Sequence, residues 1–103
     1  MNDMKIWIDD VRVAPNGYHW FKSVNEVKNF LKAITRFNWN EIELIDIDHD
    51  AGEYAVDGGD YIKLLDWFEE MKCNFPIRIH SMNPVGVENM RRIIRKNDWK
   101  EVF

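Results

Sequence analysis

Acidic residues and histidines recur in three short segments of the chain, each of which directly follows a run of apolar residues. The three groups are Asp9 and Asp10, then Asp48, His49 and Asp50, then His80 and Ser81. Carboxylates that met in one cleft would repel one another and raise one another's pKa values unless a cation lay between them. Carboxylate oxygens suit Mg²⁺, Mn²⁺ or Ca²⁺, so the set predicts a site for a divalent metal or a phosphate. Taken singly, each acid is explained better by capping a turn or by solvation.

Two histidines of the chain lie within these groups. His49 stands between two acids and His80 precedes a serine, whereas His19 has no such neighbours. An imidazole can transfer protons near neutral pH or bind a transition metal. The alternative for His49 and His80 is that each donates to a backbone carbonyl and orders its loop. We assign His19 to that ordinary structural role.

Three further polar residues are suited to contacts with phosphate oxygens. Ser81 and Asn83 supply a hydroxyl and an amide, although turn capping explains them equally well. The segment 83–86 precedes a predicted helix, whose N-terminal amides favour an anion. Arg12 follows the acid pair by two residues and could clamp a phosphate with its planar guanidinium. The alternative for Arg12 is an ordinary salt bridge to that acid pair.

Strand-like apolar runs and helix-like apolar stripes alternate along the chain. Ser23, with Glu26 three residues later, predicts a helix start by the capping-box pattern. Further helices are predicted from Tyr61 to about Asn74 and after Gly86. Strands are predicted at 5–8, 19–22, 41 to about 48, 77–81 and 99–103.

This order of elements predicts an α/β domain with a mainly parallel sheet of about five strands and right-handed crossovers. In open sheets of this type, ligands bind beyond the carboxyl ends of the strands. The three chemical groups each follow such an end, so we expect them to converge on one edge of the sheet.

The length and composition of the chain indicate the general class of protein. A chain of 103 residues suits one domain, and its formal charge of -4 does not favour non-specific nucleic-acid binding. The single cysteine, Cys73, cannot form an intrachain disulfide, which indicates a reducing compartment. The chain has no signal peptide and no apolar run of membrane-spanning length, so we expect a cytoplasmic protein without membrane contact.

The order of the groups resembles the receiver domains of two-component signalling. Those domains bind Mg²⁺ with an acid pair after the first strand and an aspartate after the third. By position, Asp48 resembles the phosphoacceptor and Ser81 the hydroxyl that senses the phosphoryl group. The detailed motifs are more similar to a divergent branch, the cyclic-phosphate processing receiver-like domains. The matching segments are Asp9-Asp10-Val11-Arg12 with Pro15, Asp48-His49-Asp50-Ala51-Gly52, Gly58-Gly59-Asp60, and His80-Ser81-Met82-Asn83-Pro84-Val85-Gly86.

This resemblance implies a single receiver-like (flavodoxin-like) domain over residues 1–103. Two departures from signalling receivers accompany it. The chain lacks room for a full helix after the first strand, so the first crossover helix is expected to be missing or reduced. The lysine that receivers carry after their fifth strand has no counterpart, which disfavours standard phospho-signalling.

The resemblance also implies hydrolysis of a cyclic nucleotide or of an RNA cyclic-phosphate end. Mg²⁺ or Mn²⁺ would be held by Asp9, Asp10 and Asp48. His49, His80 and Asp48 would be catalytic, and the phosphate would be bound by Arg12, Asp50, Ser81 and Asn83. Two alternatives remain open. One is a non-catalytic module that sequesters a nucleotide, as in a phage or defence setting, and the other is a stand-alone phosphoreceiver modified at Asp48.

Overall fold

The structure, a computed structural model, describes residues 4–34 and 36–103 of the chain. It consists of four strands and three helices with two short 3₁₀ segments between them. The strands are β1 (Met4–Ile8), β2 (Tyr18–Phe21), β3 (Ile42–Ile47) and β4 (Ile77–Ile79). The helices are α1 (Val24–Ala33), α2 (Ile62–Glu70) and α3 (Pro84–Lys96). The 3₁₀ segments span Arg36–Glu41 and Gly52–Val56.

The sheet is parallel throughout, in the order β2-β1-β3-β4. The predicted fifth strand is reduced to one parallel bridge between Ile77 and Glu101 at the outer edge of β4. The amide of Ile77 donates to Lys100 over 2.9 Å, and Val102 donates to the carbonyl of Ile77 over 2.8 Å. The chain therefore has the receiver-like arrangement, with its last strand present only as a short pairing.

The connection from β1 to β2 contains no helix, which confirms the predicted loss of the first crossover. The other connections, from β2 to β3, from β3 to β4 and from β4 to the Ile77–Glu101 bridge, all step across the sheet in the same direction. Right-handed crossovers that step in one direction place their helices on one face of a sheet. In agreement, α2 packs against both α1 and α3. Within the described ranges, the opposite face of the sheet has no helix of its own.

Alternation along the strands divides the residues between these two faces. The helix-covered face carries the fully buried apolar side chains of the core, which are Ile6, Ile8, Ile45, Ile47 and Ile77. On the open face, Trp7, Asp46 and Arg78 lie side by side in the register of β1, β3 and β4. A row of charged and aromatic side chains thus lies on the face where a second layer of helices would otherwise pack, close to the carboxyl ends of the strands.

Two of the three helices, α1 and α3, begin with a side-chain cap, whereas α2 begins without one. Ser23 Oγ accepts from the amide of Glu26 over 3.1 Å, and Glu26 Oε1 accepts from the amide of Ser23 over 3.1 Å. This reciprocal pair is the capping box that the sequence predicted. Asn83 caps α3 in a similar way, with Pro84 at the first helical position. None of the helical segments in the described part of the chain combines the length and apolar character of a membrane span.

Candidate metal and phosphate site

Three carboxylates meet at the carboxyl ends of β1 and β3, which are neighbours in the sheet. Asp9, Asp10 and Asp48 each offer one oxygen, and these oxygens lie within 4.8 Å of one another. Asp9 and Asp10 leave β1 together, while the amide of Asp48 donates to the carbonyl of Ile8 over 3.0 Å. Strand pairing therefore holds the third acid against the first two, and the predicted convergence of these segments is observed.

Asp9 is the most enclosed of the three acids, with no exposed surface. Its Oδ1 accepts from the amides of Val11 and Arg12 over 3.0 and 2.9 Å, and its Oδ2 faces Nε2 of His80 at 2.9 Å. Burial by itself raises the pKa of Asp9, but the amides of Arg12 and Val11 and the His80 ring outweigh it and lower the pKa overall. These contacts favour the ionised carboxylate that a metal ligand requires.

Asp10 shows the opposite effect. Burial, followed by the negative charges of Asp9 and Asp48, raises the pKa of Asp10 above its ordinary value. Gly52, at a φ of +56°, passes so close that a Cβ there would overlap the Asp10 carboxylate. The three acids thus form an oxygen-only donor set in which the charges of Asp9 and Asp48 disfavour ionisation of Asp10, and this set fits Mg²⁺ or Mn²⁺.

His80 lies between two buried carboxylates. Its Nδ1 is 2.6 Å from Oδ1 of Asp46, and its Nε2 is 2.9 Å from Oδ2 of Asp9. The ring can donate to both carboxylates only when both nitrogens carry protons. Trp7 stacks on the same ring with a centroid separation of 3.8 Å, and the His80 side chain is 11% exposed. His80 is therefore part of the floor of the site, and both of its nitrogens already face protein oxygens.

His49 has a different environment on the α3 side of the site. Its Nδ1 lies 2.8 Å from Oδ1 of Asp50, and its side chain is 14% exposed. The ring packs on Gly86, where a Cβ would come within 2.6 Å of Cδ2 of His49. No hydrogen-bond partner for Nε2 of His49 occurs among the residues that the structure describes. This nitrogen is thus available to a ligand, while Asp50 holds the other one.

Ser81 and Asn83 form the turn that opens α3. Ser81 Oγ accepts from the amide of Asn83 over 3.1 Å, and Asn83 Oδ1 accepts from the amide of Gly86 over 3.0 Å. Their capping interpretation is therefore observed. The side-chain nitrogen Nδ2 of Asn83 donates to Oδ1 of Asp50 over 3.4 Å, which links this turn to the His49 side of the site. Phosphate contacts by Ser81 and Asn83 stay a prediction.

Arg12 lies on the exposed loop between β1 and β2. Its carbonyl accepts from Nε1 of Trp7 over 2.9 Å, so the loop is attached to the open face of the sheet. Its guanidinium has no ion-pair partner in the described ranges, and the predicted alternative of a salt bridge to the acid pair does not form. The Arg12 side chain is thus free to reach an anion.

Two residues of this site were not identified from the sequence. Asp46 is 1% exposed and Trp7 stacks on His80. A signal for Asp46 was present, because a carboxylate in the middle of a buried apolar strand requires a partner. Trp7 gave no such signal, because nothing in the sequence shows that β1 has a face without a helix.

No curated protein and no solved structure shows significant similarity to this chain. The family model of the cyclic-phosphate processing receiver domain matches residues 4–96, which include every site residue described above. The chain therefore belongs to the cyclic-phosphate processing receiver domain family.

Proposed function

We propose that this protein hydrolyses a cyclic phosphate ester, such as a 2′,3′-cyclic nucleotide or an RNA end that carries one, in a metal-dependent reaction. The observations that carry the proposal are the group of three carboxylates, whose oxygens lie within 4.8 Å of one another, and two histidines that each have a ring nitrogen facing a carboxylate. The description of the family, cyclic-phosphate processing, supports a cyclic phosphate as the class of substrate.

The metal would be held by Asp9, Asp10 and Asp48. When bound, Mg²⁺ or Mn²⁺ supplies charge neutralisation for the phosphate and lowers the pKa of a coordinated water. Asp48 directly follows β3 and its Oδ1 accepts from the amide of His49 over 2.7 Å, so the proposed ligand and the neighbouring histidine are positioned together.

His49 is the better placed of the two histidines for proton transfer. Asp50 faces its Nδ1, and its Nε2 has no partner among the described residues, so Nε2 can take or give a proton. This arrangement of a carboxylate behind an imidazole is the one that orients catalytic histidines in other hydrolases. His80 can transfer a proton to the substrate only if its Nε2 leaves Asp9. Its direct contribution is to hold the Asp9 carboxylate, which is one of the proposed metal ligands.

Anionic charge on the substrate would be met from two sides. The Arg12 guanidinium is exposed on the β1–β2 loop, next to the acid pair in the chain. On the other side, Asn83 caps the thirteen-residue helix α3, whose first turn carries a partial positive charge. Donors of this kind stabilise the charge that develops on phosphoryl oxygens during the reaction.

The experiment compares hydrolysis of a 2′,3′-cyclic nucleotide, with Mn²⁺ present, by the wild type and by variants at the site. We expect Asp48→Ala, His49→Ala and His80→Ala each to abolish turnover, with the fold verified by circular dichroism. His19→Ala is the matched control, because His19 is exposed on β2 and outside the site. Undiminished turnover in the Asp48 and His80 variants would exclude this mechanism.

Two other outcomes would identify the alternatives. If the wild type binds the cyclic nucleotide in a thermal-shift assay but chromatography shows no product, the protein is a sequestering module. If incubation with acetyl phosphate adds one phosphoryl group that Asp48→Ala removes, as judged by intact mass, the protein is a phosphoreceiver. Either outcome contradicts hydrolysis as the function.

A further inference from the structure

We infer that Asp46 is a positioning residue for the proposed metal site and that it holds the carboxylate of Asp9 in place through the imidazole of His80. That this arrangement serves metal binding rests on the proposed function. That Asp46 fixes the position of Asp9 does not depend on that function. Asp46 belongs to none of the motifs that carried the family resemblance, and it lies within β3 rather than in a loop.

The three side chains form a continuous bridge across the open face of the sheet. Asp46 Oδ1 is 2.6 Å from one ring nitrogen of His80, and Asp9 Oδ2 is 2.9 Å from the other. The carboxylates are 1% and 0% exposed, respectively. Since Asp46, Asp9 and His80 come from β3 and from the ends of β1 and β4, the bridge connects three of the four strands.

The second oxygen of Asp46 indicates that this carboxylate is not there for stability alone. Oδ2 is buried without a hydrogen-bond partner in the described part of the chain, and Arg78 Nη1 is 3.8 Å away. A buried carboxylate oxygen that lacks a partner costs free energy, and an apolar residue would avoid that cost. An orphaned buried group of this kind calls for a functional explanation.

The explanation lies at the other end of the bridge. The Asp9 carboxylate is held at Oδ1 by the amides of Val11 and Arg12 and at Oδ2 by His80. With the ring fixed by Asp46 and by the stacked Trp7, the carboxylate keeps one orientation towards Asp10 and Asp48. Outer partners that orient a metal ligand in this way commonly change metal affinity by about 10–100-fold when they are removed.

The test is Asp46→Asn, which keeps the size of the side chain and an acceptor oxygen but removes the charge. Glu43→Gln is the matched control, because Glu43 is exposed on the same strand and, among the described residues, its ion pair is with Lys5 at 3.8 Å. Titration of each protein with Mn²⁺, followed by electron paramagnetic resonance, gives the dissociation constant. We expect Asp46→Asn to weaken Mn²⁺ binding by about 10–100-fold and Glu43→Gln to leave it close to the wild-type value.

A second measurement on the metal-free protein separates this inference from the proposed function. The amide signals of Val11 and Arg12 report on Asp9 directly, because both amides donate to its Oδ1, and we expect them to shift in Asp46→Asn but not in Glu43→Gln. If they do not shift, Asp46 does not position Asp9 and the inference is wrong, whether or not the wild type binds metal. If they shift while the Mn²⁺ affinity is unchanged, the inference is also wrong. If they shift and the wild type binds no metal, the positioning of Asp9 is supported and the metal-dependent function fails.

Discussion

The imidazole of His80 lies flat against the indole of Trp7, with ring centroids 3.8 Å apart and planes inclined by 7°. The same indole donates from Nε1 to the carbonyl of Arg12 over 2.9 Å. Trp7 therefore connects the floor of the site with the loop that carries Arg12. Both contacts lie on the sheet face that no described helix covers.

The stack predicts that Trp7 matters for its flat ring more than for its N–H group. Trp7→Phe keeps an aromatic face for His80 and loses the bond to Arg12, whereas Trp7→Leu loses both. Because stacked aromatic pairs contribute about 0.5–1.5 kcal/mol beyond burial, we expect Trp7→Leu to lower the free energy of unfolding by that much more than Trp7→Phe does. Urea denaturation measures the difference, and equal losses would show that the stack contributes nothing.

Removal of the Asp10 charge should stabilise the metal-free protein and weaken metal binding. Burial and the charges of Asp9 and Asp48 raise the pKa of Asp10, so the folded state disfavours its ionised form. The stability that this group contributes is present at low pH and is lost as the pH rises from about 3.9 towards the higher folded pKa. At neutral pH we expect Asp10→Asn to have a higher Tm than the wild type in EDTA and a smaller Tm increase with Mn²⁺. Asp66→Asn, on the exposed side of α2, serves as the control, and a lower Tm for Asp10→Asn in EDTA would contradict the repulsion.

Gly86 and His49 should be coupled in stability. In the wild type, a Cβ at position 86 would lie within 2.6 Å of the His49 ring, so Gly86→Ala should destabilise the protein and displace that ring. In a His49→Ala background the three nearest atoms are gone, and alanine should be favoured over glycine within α3 by up to about 1 kcal/mol. The double-mutant cycle measures this change of sign by denaturant unfolding. Additive effects would indicate that the close contact is not what requires glycine.

The capping box should account for a measurable part of the stability of α1. Ser23→Ala removes the acceptor for the amide of Glu26, and loss of such a cap costs about 0.5–2 kcal/mol. Glu26→Gln is the control, because its amide oxygen can still accept from the amides of Lys22 and Ser23. We expect thermal unfolding to show a clear loss for Ser23→Ala and little change for Glu26→Gln.

Ser23 should also affect the pKa of Asp57, which is distant from it in the chain. The Ser23 hydroxyl, which donates over 2.6 Å, and then the Asn25 amide lower the pKa of Asp57. The stability linked to Asp57 is therefore fully present above about 3.9 and is lost as the pH falls through the lower folded pKa. We expect Ser23→Ala to raise the Asp57 pKa towards its ordinary value in a carboxyl NMR titration, and Asn25→Ala to raise it less. An unchanged pKa in Ser23→Ala would refute the contact.

Predictions from the sequence agreed with the structure where residues close together in the chain determine the local conformation. The Ser23–Glu26 box starts α1 as predicted, because both partners lie within one turn. The acid pair and Asp48 meet because parallel strands end at one edge, which the alternation of elements already implied. The single bridge at Glu101 differs from the predicted fifth strand. A strand at this edge can pair only with β4, and β4 has three residues.

The types of residues at the strand ends, and therefore the oxygen-rich donor set and the family, followed from the sequence by itself. Only the tertiary structure decided that His80 is held between Asp46 and Asp9 while His49 keeps a nitrogen open. The physical reason is that a strand-end motif specifies which side chains reach an edge, whereas the hydrogen bonds of each ring depend on register between strands that are distant in the chain. Asp46 and Trp7 enter the site through that register, on a sheet face that no described helix covers because the first crossover helix is missing.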